Sequence, residues 1–128
     1  MLHHVSLPVA DLEKSSGLYD HALAALGYRR VCSGEGFVGY GLEEGQDIFL
    51  IVARTNAVSA GPGFHLAFAA PSREAVDEFH RIALAFGCDN NGSPGLRVHY
   101  GPGYYAAFII DPDGHRIEAV INEPAAGR

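Results

Sequence analysis

A chain of 128 residues, 48% apolar and 19% charged, is long enough for one compact domain with its own core and too short for two ordinary ones. Its formal charge of −6, with nine Lys and Arg scattered singly, leaves no basic stripe to neutralise phosphates, which argues against nucleic acid and against an anionic membrane surface. No apolar run approaches the roughly 18 to 20 residues of a membrane span, and the opening MLHHVSLPVADLEK lacks a signal-peptide pattern, so a cytoplasmic protein with a small-molecule partner is expected.

Residues 2 to 9 alternate as a strand, with Val5, Leu7 and Val9 on an apolar face and His4, Ser6 and Pro8 opposite. Asp11 is an N-cap candidate for a helix whose stripe is Leu18, Ala22 and Leu26, flanked by Tyr19 and Leu23, and which stops at Gly27. Strands follow near 28 to 33, 36 to 42 and 46 to 53, the last two joined by an acidic turn and Gly45. The linker TNAVSAGPG, residues 55 to 63, is short.

The same order then begins again. Residues 64 to 70 place Leu66, Phe68 and Ala70 on one face and His65, Ala67 and Ala69 on the other. Ser72 is the next N-cap candidate, Val76, Phe79, Ala83 and Phe86 the next helical stripe, and Gly87 the next stop. Strands are expected at about 88 to 92, 104 to 111 and 115 to 121; the stretch DNNGSPGLRVHYGPG, rich in Gly, Pro and Asn, curtails the sixth strand and leaves Arg97 and His99 in a loop. In the last strand Arg116, Glu118 and Val120 share a face. Cys32 and Cys88 form no CxxC pair and read as small buried hydrophobes rather than a disulfide or a thiolate zinc site. His21, His80 and His115 read as surface positions.

These two passes are one repeat. HVSLPVADLEKSSGLYDHALAALGY, from His4, lines up with HLAFAAPSREAVDEFHRIALAFGC, from His65, and GYGLEEGQDIFLIV, residues 39 to 52, with FIIDPDGHRIEAVI, residues 108 to 121. Each half is a βαβββ unit, about 1 to 54 and 64 to 123, within a single domain of class α+β. Helices must cover the apolar faces, so the other face of the sheet carries His4, His65 and Glu118. Aligning Gly45 with Gly114 sets Phe49 at the counterpart of Glu118.

At these residues the chain resembles the vicinal oxygen chelate superfamily, which includes glyoxalase I, extradiol dioxygenases, fosfomycin-resistance thiol transferases and bleomycin-resistance proteins. The resemblance covers essentially the whole chain and rests on HHVSLPVADLEKSSGLYDHALAALGY, GFHLAFAAPSREAVDEFH and YYAAFIIDPDGHRIEAV. It implies two βαβββ modules forming a cupped, partly open mixed β-sheet barrel with helices outside, around a metal held from the first, fourth, fifth and eighth strands. Those positions are His4, Phe49, His65 and Glu118 here. Phe49 is no ligand, and because glyoxalase I members carry a carboxylate there, glyoxalase I activity proper is disfavoured. The remaining two His and one Glu are similar to the set in extradiol dioxygenases and fosfomycin-resistance enzymes, and suit one divalent Fe, Mn, Ni or Zn ion that chelates a small substrate through adjacent oxygens. His3 takes the place of His4 if the register slips by one.

Around that centre the expected roles are Phe49 stacking on substrate, Arg97 and His99 steering an anion, and one of Tyr104 and Tyr105 facing the cup. Tyr105 is assigned to proton transfer beside Glu118, and Tyr104 to substrate contact. The function expected is a metal-dependent enzyme of lyase, isomerase or extradiol-dioxygenase type. The alternative is a metal-free protein of bleomycin-resistance type that sequesters a ligand, and a third reading is a purely structural interaction domain. Open sheet edges and the pairing habit of the family predict a homodimer.

Overall fold

A computed structural model describes residues 1–124, in the order β1 (Val5–Val9), α1 (Leu12–Ala24), β2 (Arg29–Gly34), β3 (Phe37–Glu43), β4 (Gln46–Ala53), β5 (Leu66–Ala69), α2 (Arg73–Ala85), β6 (Asp89–Leu96), β7 (Tyr104–Ile110) and β8 (Arg116–Asn122). The strands make two four-stranded sheets, ordered β1-β4-β3-β2 and β5-β8-β7-β6, and neither closes into a barrel. Each is mixed: β1 runs parallel to β4 and β5 to β8, as a helical crossover requires, while the remaining pairs are antiparallel hairpins. The expected α+β fold of two βαβββ repeats is the observed one. No helix among the described residues is long and apolar enough to cross a membrane.

Both helices start and stop on their sequence signals. The Asp11 carboxylate accepts from the Lys14 amide at 3.1 Å and the Ser72 hydroxyl oxygen from the Ala75 amide at 3.0 Å, each satisfying an N-terminal donor. At the other ends Gly27 (φ 92°) and Gly87 (φ 95°) turn the chain into left-handed backbone. The Tyr28 amide then reaches back to the Leu23 carbonyl and the Cys88 amide to that of Ala83, both at 3.0 Å, a Schellman closure made twice.

The helix faces and the apolar strand faces meet in one core. Leu18, Tyr19, Ala22, Leu23 and Leu26 are buried as their spacing predicts, and so are Val76, Phe79 and Ala83. Phe86 is not; it lies past the last helical residue, where the 3.6 period ends, and its ring stacks on exposed His21 at 5.0 Å. The two modules are joined by polar contacts as well. The Tyr19 hydroxyl donates to Asp111 at 2.7 Å, the Ala10 amide to Asp113 at 2.9 Å, and His115 Nε2 meets the Pro8 carbonyl at 2.6 Å. His115 and His80 are therefore buried, contrary to the surface positions expected, because tertiary partners satisfy their ring nitrogens; for His80 the partner is Asn90 at 3.0 Å.

Phe49 is the main correction. In the parallel pairs Val5 faces Phe49 and Leu66 faces Ile117, so Phe49 corresponds to Ile117, and Leu50 to Glu118. Residues 41 to 48 separate Tyr40 from Phe49, whereas residues 110 to 116 separate Ile109 from Ile117: eight against seven. The extra residue is taken up in register shifts around Gly41, and one residue is enough to turn every later side chain to the other face. Phe49 accordingly lies in the core, 1% exposed, with its ring edge-on to Tyr19 and to Phe68 at 5.1 Å each. It cannot stack on a substrate in the cup.

The sixth strand also differs. It runs on to Leu96, because shifts between Asn90 and Gly92 and between Gly92 and Gly95 let the Gly and Pro residues sit in an edge strand that would otherwise break. Cys32 and Cys88 are both free thiols; Cys88 is buried, and burial pushes its thiol up to about 12.

Candidate metal and substrate site

Glu118 sits in the middle of β8, between Ala67 of β5 and Phe108 of β7 in register. It is on the side away from the helices, yet 1% exposed. A carboxylate that buried is tolerated only with partners, and it has two. His65 Nε2 lies 2.8 Å from Oε1, and the Tyr104 hydroxyl donates to Oε2 at 2.5 Å. The His65 side chain is 51% exposed, so this pair joins a solvent-facing imidazole to a buried acid. Burial first and the hydrogen bond to Glu118 second push the Tyr104 hydroxyl up to about 12, which keeps it a donor at neutral pH.

Tyr105 does the other job. Alternation along β7 turns it to the helix side, where its hydroxyl donates to Asp77 at 2.6 Å and the Arg73 guanidinium lies 5.0 Å from its ring centre. The assignment of proton transfer to Tyr105 is therefore corrected: the tyrosine that touches Glu118 is Tyr104.

A cleft of ≈ 480 Å³ opens at His65, lined with it by Arg97, Tyr100, Phe108 and Arg116 among others, while buried Glu118 lies behind His65 and outside the lining. Arg97 lies over the Phe108 ring at 5.3 Å, and the edge of that ring meets His65 at 6.0 Å. His99 is exposed and outside the lining, its ring tilted against that of Tyr100 with centroids 4.1 Å apart, and Tyr100 in turn meets the Tyr104 ring at 5.2 Å. Arg116, Phe108 and Tyr100 were not singled out from the sequence. For Arg116 the signal was present, since alternation alone puts it on the face of Glu118.

His4 lies on the exposed face of its own module, its Nδ1 2.9 Å from that of His3. Among the described residues no group of three or more His, Cys, Asp and Glu side chains is placed to hold a metal ion. One chain thus brings together His65 and Glu118 of the expected triad and leaves His4 apart. An imidazole nitrogen and a carboxylate oxygen converging at 2.8 Å fit a first-row divalent cation as two of its ligands. His3 lines a second cleft of ≈ 470 Å³ with Leu2, Leu42 and Ile48 and the acidic Glu43 and Asp47.

Comparison with known proteins agrees with the repeat. The model of the Glyoxalase/Bleomycin resistance protein/Dioxygenase superfamily matches residues 1–119. A solved glyoxalase/bleomycin resistance protein from Albidiferax ferrireducens is 33% identical, over 94% of this chain and 97% of that one, with a TM-score of 0.80. A structure from Bacillus halodurans is 32% identical over 94% of both chains, with a TM-score of 0.66. The fosfomycin resistance protein FosX of Listeria monocytogenes, solved with Mn(II) and 1S,2S-dihydroxypropylphosphonic acid, shares the fold at 20% identity and a TM-score of 0.66, over 93% of this chain and 87% of its own. With a family match over nearly its whole length and the paired βαβββ modules that match implies, this chain belongs to the Glyoxalase/Bleomycin resistance protein/Dioxygenase superfamily.

Proposed function

We propose that the protein is a metal-dependent enzyme acting on a small substrate that offers two neighbouring oxygens, with His65, Glu118 and His4 as ligands of one Fe, Mn, Ni or Zn ion. The observation that carries this reading is Glu118: a carboxylate 1% exposed on the helix-free side of its sheet, directly against a solvent-facing imidazole. Tyr104 already serves Oε2, and the partner at Oε1 is an imidazole open to solvent, a group that can also bind a metal ion. A superfamily fold that holds Mn(II) in FosX supports it. When bound, such an ion acts as a Lewis acid on substrate oxygens, and its identity selects lyase or isomerase chemistry or extradiol-type oxygenation.

The chain's own residues do the positioning. Tyr104 holds Oε2 of Glu118 and so fixes where Oε1 points. His65 reaches Oε1 from the start of β5. His4 occupies the matching place before β1, and because its ring lies apart from the other two, the reading entails a homodimer in which His4 of one copy completes the pair on the other. The competing reading is a metal-free ligand-binding protein, favoured by the lack of a three-ligand group within one chain among the described residues.

Elemental mass spectrometry on the untagged protein and on the His65→Ala and Glu118→Ala variants separates the two. Near-stoichiometric metal, lost in both variants, is expected. No uptake after reconstitution with Fe(II), Mn(II), Ni(II) and Zn(II) overturns the metalloenzyme reading.

A further inference from the structure

Charge pairing over the surface is uneven. Arg29, Arg30, Arg73 and Arg81 each have a carboxylate within ion-pair distance. Among the described residues Lys14, Arg54, Arg97 and Arg116 have none, and two of these four, Arg97 and Arg116, line the cleft over His65. In a chain of net charge −6, that cleft is where uncompensated positive charge gathers.

Arg97 is held in place by the segment that reads as a poor strand. Its Nη1 donates to the Gly95 carbonyl and its Nη2 to the Ser93 carbonyl, both at 2.9 Å, and its plane lies over Phe108. A Cβ on Gly92 would come within 3.1 Å of Nη2 and within 2.9 Å of the Phe108 ring, and one on Gly95 within 3.3 Å of Nη1. The glycines that interrupt β6 therefore make room for a guanidinium whose remaining N–H groups have no acceptor among the described residues. Arg116 is half-buried two residues before Glu118, and makes no hydrogen bond or ion pair among the described residues. Two guanidinium groups without carboxylates, walled by Phe64, Tyr100 and Phe108, match a planar or tetrahedral oxyanion on a compact apolar body.

We infer that this cleft binds a carboxylate, phosphate or phosphonate group of the substrate through Arg97 and Arg116, and so admits small anionic substrates to the His65 and Glu118 pair. That the anion belongs to a substrate rests on the proposed function; that the cleft binds an anion does not.

The test is titration of the untagged protein, as isolated and after dialysis against EDTA, with sodium phosphate and with sodium benzoate at constant ionic strength, followed by ¹H–¹⁵N NMR. Saturable shifts at Gly92, Arg97 and Phe108 are expected for at least one anion, and the stronger arm distinguishes phosphoryl from carboxylate recognition. Affinity should fall about tenfold or more in Arg97→Gln and in Arg116→Gln, each losing charge-assisted hydrogen bonds, and stay unchanged in Arg54→Gln. No saturable shift with either anion, or equal affinity in all variants, overturns the inference. If Arg97→Gln does not fold, Arg116→Gln decides, since it breaks no hydrogen bond of the fold. Metal content of the same samples is read separately. Anion binding without metal uptake removes the metal reading and keeps the cleft, and metal uptake without anion binding does the reverse.

Discussion

At the scale of single residues, the two adjacent tyrosines show what placement does to equal chemistry. Tyr104 satisfies an almost fully buried carboxylate, while Tyr105 bonds an exposed one. Tyr104→Phe strands Oε2 of Glu118 without a partner and should cost about 1 to 3 kcal/mol in urea denaturation, against about 0.5 kcal/mol for Tyr105→Phe. Equal losses would mean that Glu118 finds water instead. Asp111 supplies a pH signature. Burial raises its carboxyl above the ordinary 3.8, opposed in part by hydrogen bonds from Tyr19 and from the His115 and Asp113 amides. A raised folded-state value means that the folded chain holds this proton more tightly, so the stability it contributes is full below about pH 4 and is lost as pH rises through the folded value. The stability advantage of the protein over Asp111→Asn should therefore shrink as pH rises above about 4, measured as urea midpoints; an advantage that grows would contradict the direction of the shift.

At the scale of elements, the bulge around Gly41 decides which side chains of β4 enter the core. Phe49→Ala should cost about 3 to 5 kcal/mol, as for any buried aromatic, and Leu50→Ala clearly less. A Cβ at Gly41 would run into the Gln46 backbone carbonyl, which cannot swing aside, so Gly41→Ala should destabilise by about 1 to 3 kcal/mol. Differential scanning calorimetry on the three variants checks both. The helices were legible because their signals are local: Asp11 and Ser72 accept from backbone amides three residues on, and Gly27 and Gly87 end the run by their own backbone freedom. The face of Phe49 was not legible. Alternation counts residues and has no means of counting a bulge, and the two hairpin turns differ by one residue while both carry acids and a glycine.

At the scale of the whole molecule, the proposed dimer has an arithmetic consequence. If His4 of one copy completes the site on the other, mixing His4→Ala with Glu118→Ala chains and letting subunits exchange makes half the dimers mixed, each with one intact site of two. Metal content should then recover to about a quarter of the parent value, from near zero in either variant alone. Parent-level metal in His4→Ala alone, with the mixture at about a half before and after exchange, would mean that His4 is dispensable, and no recovery would mean sites built within one chain or no exchange, which mass spectrometry of tagged copies resolves. Light scattering at micromolar concentration should show the dimer itself.

Taken by itself, the sequence determined the βαβββ repeat, both helices with their ends, and the strand faces that carry His65, Arg116 and Glu118, because periodicity, caps and turns act between neighbours along the chain. Tertiary structure decided the rest. It chose Tyr104 over Tyr105 and turned Phe49 inward, buried His80 and His115 on partners in other elements, and seated Arg97 among glycines that looked like a broken strand. Each of these depends on register and on contacts between segments far apart in the chain, where one inserted residue reverses a face and a distant carbonyl or carboxylate sets what a polar side chain does.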